Sequence, residues 1–200
     1  MSDAERADHE PDSARRGPRP PLPGENALKK RVEEMLRVDH AGEYGAVAIY
    51  KGQKAVFDRL PHKARIAGQL DDMAKDEQAH LDAFDRLLVE RRTRPTLLMP
   101  VWEAAGFTLG AVTALIGERA AHACTEAVET VIEEHYQAQV DELGENEPEL
   151  AQTFAQFREE EVAHKDLAVE EGAREAAGYP LLSALIKLGC RAAIKVSEKV

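Results

Sequence analysis

The chain carries the motif Glu-x-x-His twice, at Glu77–His80 and at Glu161–His164. Residues three apart lie on the same face of an α-helix, so each motif presents a carboxylate and an imidazole side by side. A helical segment with a glutamate that can face inward precedes each motif, with Glu43 before the first and Glu129 before the second. The sequence therefore predicts two similar halves, each a helix with one glutamate, a turn and a helix with Glu-x-x-His.

Apolar periodicity, with proline and glycine breaks, predicts four long helices. Asn26 and Asn146 are expected to cap the first and the fourth. The chain is rich in Ala, Glu, Leu and Arg, which favour helices, and an all-α fold follows. The predicted ranges are 26–60, 63–92, 118–143 and 146–176.

Two further segments are apolar or amphipathic. Residues 95–117 contain a single charge, Glu103, but also three glycines and two prolines. We expect a short apolar helix or hairpin, half buried in protein or lipid. Residues 181–200 place leucines on one side and lysines on the other, which is typical of a helix at a membrane interface.

The four glutamates and two histidines match the ligand pattern of a di-iron carboxylate bundle, in which two helices give one Glu each and two give Glu-x-x-His. Carboxylate and imidazole ligands suit iron, and two Fe(II) ions would balance four carboxylates in charge. No catalytic residue is predicted beyond the metal ligands. The predicted ligands are Glu43, Glu77, His80, Glu129, Glu161 and His164.

Several neighbours of these ligands are predicted to support the centre. Asp76 and Glu160 each precede a ligand glutamate and are placed to accept hydrogen bonds from the ligand imidazoles. Two turns beyond Glu129, His135 and Tyr136 either line a substrate channel or pack as ordinary side chains. Gly42 and Gly45 flank Glu43 at a cost of about 1 kcal/mol each relative to Ala, and we expect them to allow close helix packing beside the metals.

Charge and composition exclude several classes. The net charge of −11 argues against a nucleic-acid-binding protein, which usually shows a basic stripe. Two distant cysteines without a Cys-x-x-Cys pair argue against a zinc ribbon or a disulfide framework. Residues 1–24 are polar with five prolines, so we predict a disordered tail there and a single domain over residues 25–200.

Four segments resemble the demethoxyubiquinone hydroxylase family of ubiquinone biosynthesis. They are RVDHAGEYGA at 37–46, EEHYQAQ at 133–139, FREEEVAHKD at 157–166 and LIKLGCRAAIKVSEKV at 185–200. The resemblance covers about residues 26–200 and implies a ferritin-like four-helix bundle with two additional apolar or amphipathic helices. One departure is Lys195, where some relatives carry an aromatic residue.

The resemblance implies an O2-dependent monooxygenase that hydroxylates the ring of a prenylated demethoxyubiquinol, with two iron ions per chain. Glu77 and Glu161 would bridge the irons, and the other four ligands would be terminal. Family members lie on membrane surfaces and often work with a lipid-binding accessory protein. We expect a peripheral position on the cytoplasmic face of a bacterial-type membrane, or on the inner mitochondrial membrane in a eukaryote. A homo-oligomer is also possible.

Two alternatives use the same residues. A ferritin-like ferroxidase or iron-storage protein would need the ligands but not the apolar segments. A membrane-surface binding module with a vestigial site would need the segments but no metal. The chain has no Gly-rich dinucleotide fingerprint, so a hydroxylase would receive reducing equivalents from outside or through the quinone itself.

Overall fold

The computed structural model describes residues 24–200, where it contains six α-helices and no strand. The predicted all-α helical bundle is confirmed. The predicted polar tail lies outside the described residues, apart from Gly24. The helices are α1 (Glu25–Phe57), α2 (Ala64–Arg91), α3 (Met99–Ile116), α4 (Glu118–Leu143), α5 (Pro148–Glu170) and α6 (Tyr179–Ser197).

Both predicted asparagine caps are wrong. Helix α1 is preceded by Gly24, whose φ of 96° is left-handed and favours glycine, so Asn26 already lies within the helix. Helix α5 begins at Pro148, and its N-cap is Glu147 rather than Asn146. Proline is tolerated in a first helical turn because the amide hydrogen that it lacks has no partner there.

Two predicted helix ends also differ from the structure. Helix α1 ends at Phe57 rather than Leu60, and a short 3-10 turn over Pro61–Lys63 leads into α2. Helix α5 ends at Glu170 rather than Ala176 because Gly172 takes a left-handed φ of 85° and stops the helical path.

Two apolar clusters fill the ends of the bundle formed by α1, α2, α4 and α5. One cluster includes Leu36, Phe84 and Phe154, and the other includes Phe57 and Leu70. Fully burying a side chain of this size stabilises the fold by about 1.5–3 kcal/mol. These clusters hold the four helices together and leave the middle of the bundle for polar residues.

Helix α3 crosses α1 through glycines. A Cβ atom on Gly110 would lie 2.0 Å from the carbonyl oxygen of Ile49, and one on Gly52 would lie 2.1 Å from that of Phe107. The two backbones therefore touch, and the outer side of α3 stays exposed. The predicted apolar helix is confirmed; by length and composition it could cross a membrane.

Helix α6 confirms the predicted amphipathic helix and shows how it is oriented. Lys187 points inward, with its Nζ 3.3 Å from Oε1 of the buried Glu126 on α4. The exposed side of α6 carries three leucines, Leu181, Leu185 and Leu188. The helix thus turns part of its basic side to the bundle and these three leucines outward.

Candidate metal centre

The structure brings all six predicted ligands together in the middle of the bundle, where each is buried. Helices α1 and α4 give one glutamate each, and α2 and α5 give one Glu-x-x-His each. The residues are Glu43 on α1, Glu77 and His80 on α2, Glu129 on α4, and Glu161 and His164 on α5.

The first half of the centre surrounds His80. Its Nδ1 atom lies 3.2 Å from Oε1 of Glu161 and 3.5 Å from Oε2 of Glu43. Oε2 of Glu77 is 3.9 Å from the same nitrogen. One ligand atom from each of these four residues lies within 4.8 Å of all the others, so a single cation could contact all four.

The second half surrounds His164. Its Nδ1 atom lies 3.2 Å from Oε1 of Glu77 and 3.5 Å from Oε2 of Glu161. Glu77 and Glu161 therefore each turn one carboxylate oxygen to His80 and the other to His164. A carboxylate placed in this way can bridge two cations. Glu129 completes this half and faces Glu161.

Most of the inward-facing atoms have no hydrogen-bond partner. They are Oε2 of Glu43, both oxygens of Glu77 and Glu161, and Nδ1 of His80 and His164. Buried polar groups are normally paired, because an unpaired one costs roughly 1–3 kcal/mol. Cations between these atoms would satisfy all of them, and the mixture of carboxylates and imidazoles suits iron or manganese. The residues present therefore fit a two-metal centre.

The outer nitrogen of each imidazole contacts a carboxylate from the opposite helix. Nε2 of His80 lies 2.5 Å from Oε2 of Glu160, and Nε2 of His164 lies 3.2 Å from Oδ2 of Asp76. The Phe157 ring packs on His80 with centroids 4.2 Å apart. These contacts hold each ring with Nδ1 facing the centre.

Two tyrosines hold the single glutamates. The Tyr50 hydroxyl donates to Oε1 of Glu129 at 2.9 Å, and the Tyr136 hydroxyl donates to Oε1 of Glu43. Tyr136 is among the residues predicted from the sequence, whereas Tyr50 is not. A signal was present, because each tyrosine follows a ligand glutamate by two helical turns and so lies on the same helix face.

The protein groups alone form an electrostatically strained centre. Burial and then the neighbouring carboxylates raise the pKa values of Glu77 and Glu129. Burial opposes the ionised form of Glu161, but the two imidazoles outweigh it and lower its pKa. Burial likewise disfavours the imidazolium forms, yet the facing carboxylates raise the pKa of His80 to about 12 and that of His164 to about 9. Without cations, this centre therefore retains protons.

An apolar groove of about 490 Å³ lies beside the centre, between α1, α3, α4 and α6. Gly42 and Gly45 line it, and a Cβ atom added to either would meet no other atom within 4 Å. The expected close helix packing occurs at Gly45 only, whose carbonyl oxygen would lie 2.6 Å from a Cβ atom on Gly106 of α3. The missing side chains of both glycines leave the groove open. Other lining residues include Ile49, Trp102, Leu109, Val128 and Ile186.

A small cavity of about 20 Å³ lies between the groove and the centre. It shares Val38, Gly42, Ile132 and Ile194 with the groove, and its other lining residues are Asp39, Glu43, His135 and Tyr136. His135 and Tyr136, predicted to line a channel or to pack, thus lie where the groove meets the centre.

The buried carboxylate of Asp39 organises one wall of this cavity. Its Oδ1 atom is 3.0 Å from Nε2 of His135 and 2.9 Å from Nε2 of Gln139, while its Oδ2 atom has no hydrogen-bond partner. Asp39 is not among the residues predicted from the sequence, although it lies four residues before Glu43 and so on the same face of α1.

Comparison with known proteins identifies the family. The family model described as ubiquinone biosynthesis protein COQ7 matches residues 30–197. The chain is 49% identical over 179 residues to the 3-demethoxyubiquinol 3-hydroxylase of Rhodospirillum rubrum, which covers 90% of this chain and 83% of that protein. It is 43% identical over 180 residues to the mitochondrial NADPH-dependent 3-demethoxyubiquinone 3-hydroxylase of Homo sapiens, covering 88% of this chain and 81% of that one.

A more distant relative gives the same result. The mitochondrial 5-demethoxyubiquinone hydroxylase of Saccharomyces cerevisiae is 39% identical over 185 residues, which cover 84% of this chain and 78% of that protein. The region that the family model matches contains the whole candidate metal centre, the groove and both additional helices. The chain therefore belongs to the COQ7 family of ubiquinone biosynthesis, the demethoxyubiquinone hydroxylases.

Proposed function

We propose that this protein is a di-iron monooxygenase that uses O2 to hydroxylate the ring of a demethoxyubiquinol in ubiquinone biosynthesis. One observation carries the proposal: buried, unpartnered carboxylate and imidazole atoms converge beside an apolar groove. The hydroxylase names of the relatives support it. We also propose that residues 25–200 form the catalytic domain and that its bundle is of the ferritin-like type.

The six ligands divide into bridging and terminal pairs in this proposal. Glu77 and Glu161 would each hold both irons, because each directs one oxygen to each half of the centre. Glu43 with His80, and Glu129 with His164, complete the two ends. When bound, the irons supply the binding and activation of O2.

The remaining residues of the centre position the ligands. Glu160 and Asp76 fix the imidazole rings, and Tyr50 and Tyr136 fix the two terminal glutamates. The apolar end clusters exclude water from both sides of the bundle. Such a dry, rigid site favours reaction at the bound ring over wasteful reaction with water.

The groove accounts for a prenylated substrate. Its lining is apolar, and its inner end meets the small cavity beside Glu43. A quinol ring at that end would face the centre, and its prenyl tail would follow the groove between α3 and α6. A ferroxidase needs no such groove, so the groove favours the hydroxylase over the iron-storage alternative.

The exposed apolar residues of α3 and α6 support a position on a membrane surface. Phe107 and Leu115 on α3 and Leu185 and Leu188 on α6 are exposed, and these are two of the helices that line the groove. Apolar side chains dipping into lipid would let the substrate tail enter directly from the bilayer. The eukaryotic relatives are named mitochondrial. In a bacterial cell we propose the cytoplasmic face of the cell membrane.

Quinone profiling tests the proposed function. Cells lacking the protein should accumulate demethoxyubiquinone, wild type should clear it, and Glu161→Ala should not. Purified wild type should hold two irons per chain and convert the quinol with O2 and NADPH, the reductant named for the human relative. Iron mineralisation without quinol conversion would instead indicate a ferroxidase. Two further outcomes, full activity without iron or unchanged quinones in the deleted cells, would refute the proposal.

A further inference from the structure

We propose that Asp39, held by His135, recognises a ring hydroxyl of the substrate and so makes the protein selective for the quinol over the quinone. This inference rests on the proposed function, since it assumes that the groove receives a quinol ring. It adds a substrate-contacting residue that is not a metal ligand.

The volumes of the groove and of the small cavity determine where the quinol ring can lie. The groove, of about 490 Å³, has room for a substituted ring and part of a tail, whereas the cavity holds about 20 Å³. A space of this size accommodates one water molecule or one hydroxyl group, but not a ring. A ring at the inner end of the groove would therefore place only a substituent in the cavity.

A free acceptor on Asp39, one of the residues that line the cavity, determines which substituent fits. Asp39 is 4% exposed, and its Oδ2 atom has no hydrogen-bond partner. A buried carboxylate oxygen without a donor is unfavourable, and a hydroxyl that donates to it relieves this cost. A quinone carbonyl is itself an acceptor and would face Asp39 unfavourably. The cavity is therefore complementary to a hydroxyl and not to a carbonyl.

His135 and Gln139 fix the orientation of this acceptor. Both contact Oδ1 of Asp39, at 3.0 and 2.9 Å, so the carboxylate cannot rotate without losing both contacts. His135 is therefore a positioning residue, which acts through Asp39.

The position of Asp39 also relates the hydroxyl to the metal centre. Asp39 and Glu43 line the same cavity from one face of α1. In a para-quinol, every ring carbon without a hydroxyl is adjacent to a carbon that carries one. A hydroxyl held by Asp39 thus restricts which adjacent carbon faces Glu43 and the centre.

Ligand binding without turnover tests the inference. Trp102 is the single tryptophan and lines the groove, so its fluorescence reports binding under nitrogen. The probes are a short-tailed methoxylated para-quinol and the matching quinone. We expect wild type to bind the quinol at least ~10-fold more tightly, because hydrogen bonds to charged groups are the stronger ones. Asp39→Asn should bring the ratio below ~3 or reverse it, since an amide can donate to a carbonyl.

The exposed Asp166 provides the control, and Asp166→Asn should keep the wild-type ratio. Should Asp39→Asn fail to fold, His135→Gln is measured instead, and it should lower the ratio by at least ~3-fold because Asp39 loses a fixed partner. A ratio of quinol to quinone affinity near one in the wild type, or a ratio unchanged in these variants, would overturn the inference. Oδ2 of Asp39 would then be the acceptor for a bound water. The binding measurement is made without O2 and does not depend on turnover. Selectivity for the quinol in a protein without hydroxylase activity would therefore count against the proposed function alone. Hydroxylation without selectivity would count against Asp39 alone.

Discussion

Nε2 of His80 on α2 lies 2.5 Å from Oε2 of Glu160 on α5, and the mirror-image contact joins His164 on α5 to Asp76 on α2. Each Glu-x-x-His motif is thus supported by the residue that precedes the other motif. The crossed contacts fix both imidazole rings and tie the two helices together beside the centre. Each half of the internal repeat therefore supplies the carboxylate that contacts the imidazole of the other half.

Removing one of these carboxylates should weaken metal binding without removing a ligand. We expect Glu160→Gln to lower the affinity for the cation that His80 would bind by roughly 10–100-fold, as is typical when a group supporting a ligand imidazole is lost. Competition with a chelator measures the affinity. Glu159→Gln, at an exposed neighbour on the same helix, is the matched control. Equal affinities for the two variants would show that the His80–Glu160 contact does not support the centre.

The pKa values of the centre predict how metals stabilise the fold at different pH. The folded pKa of His164 is about 9, above the unfolded value of about 6.5. Its contribution to stability in metal-free protein is therefore complete below about pH 6.5 and is lost as the pH rises through about 9. The pKa of Glu129 is raised by burial and by Glu161. This residue therefore also lowers the stability of the metal-free protein as the pH rises above the pKa that its carboxyl has in the unfolded chain.

Cations replace these protons, so the metal-loaded protein should not lose folding stability in this way as the pH rises. We expect the difference in melting temperature between manganese-loaded and chelator-treated protein to widen from pH 6.5 to pH 9. Thermal unfolding followed by circular dichroism measures both states. Metal uptake should also release protons, which calorimetry in buffers of different ionisation enthalpy detects. A difference that narrows over this range would contradict the assignment of the centre.

The convergence of the six candidate ligands could be predicted from the sequence because it depends on local helix geometry. Residues three apart share a helix face in any helix, so Glu77 and His80 point together whatever the tertiary structure does. The breaks between helices could also be predicted, since Pro61 and Gly144 interrupt the apolar periodicity. The two predicted asparagine caps were wrong for a different reason. Asparagine favours a cap statistically, but at the start of α1 the backbone takes a left-handed conformation at Gly24, which glycine adopts more easily.

Features that depend on contacts between helices could not be predicted in this way. The orphaned Oδ2 of Asp39 exists because His135 and Gln139, about one hundred residues away, occupy the other oxygen. Gly42 looked like a helix-packing position, yet it faces the groove that α3 and α6 enclose. A one-dimensional pattern indicates which face a residue occupies, but not what lies opposite.

The glycines between α1 and α3 give a sharp test of the helix crossing. Gly110→Ala would place its Cβ 2.0 Å from the carbonyl oxygen of Ile49, so the backbones must separate and the groove must distort. Overpacking of this kind costs about 1–3 kcal/mol or more of unfolding free energy. Gly68→Ala on α2 is the control, because its Cβ meets no atom within 4 Å and alanine favours a helix by about 1 kcal/mol. Urea unfolding should show opposite signs for the two variants, and equal effects would refute the close crossing.

Charges on the exposed leucines should reduce membrane binding without affecting the metal centre. Leu115 on α3 and Leu188 on α6 are 73% and 65% exposed, so Leu115→Glu combined with Leu188→Glu should leave the fold intact. Burying a leucine is worth about 1.5–3 kcal/mol, and we therefore expect at least ~10-fold weaker binding to phosphatidylcholine–phosphatidylglycerol vesicles in flotation assays. Val89→Glu is the control, because Val89 is 78% exposed but lies on α2, outside the groove. Iron content should stay at the wild-type level in all variants. Equal binding of the double variant and the control would show that α3 and α6 do not form the membrane surface.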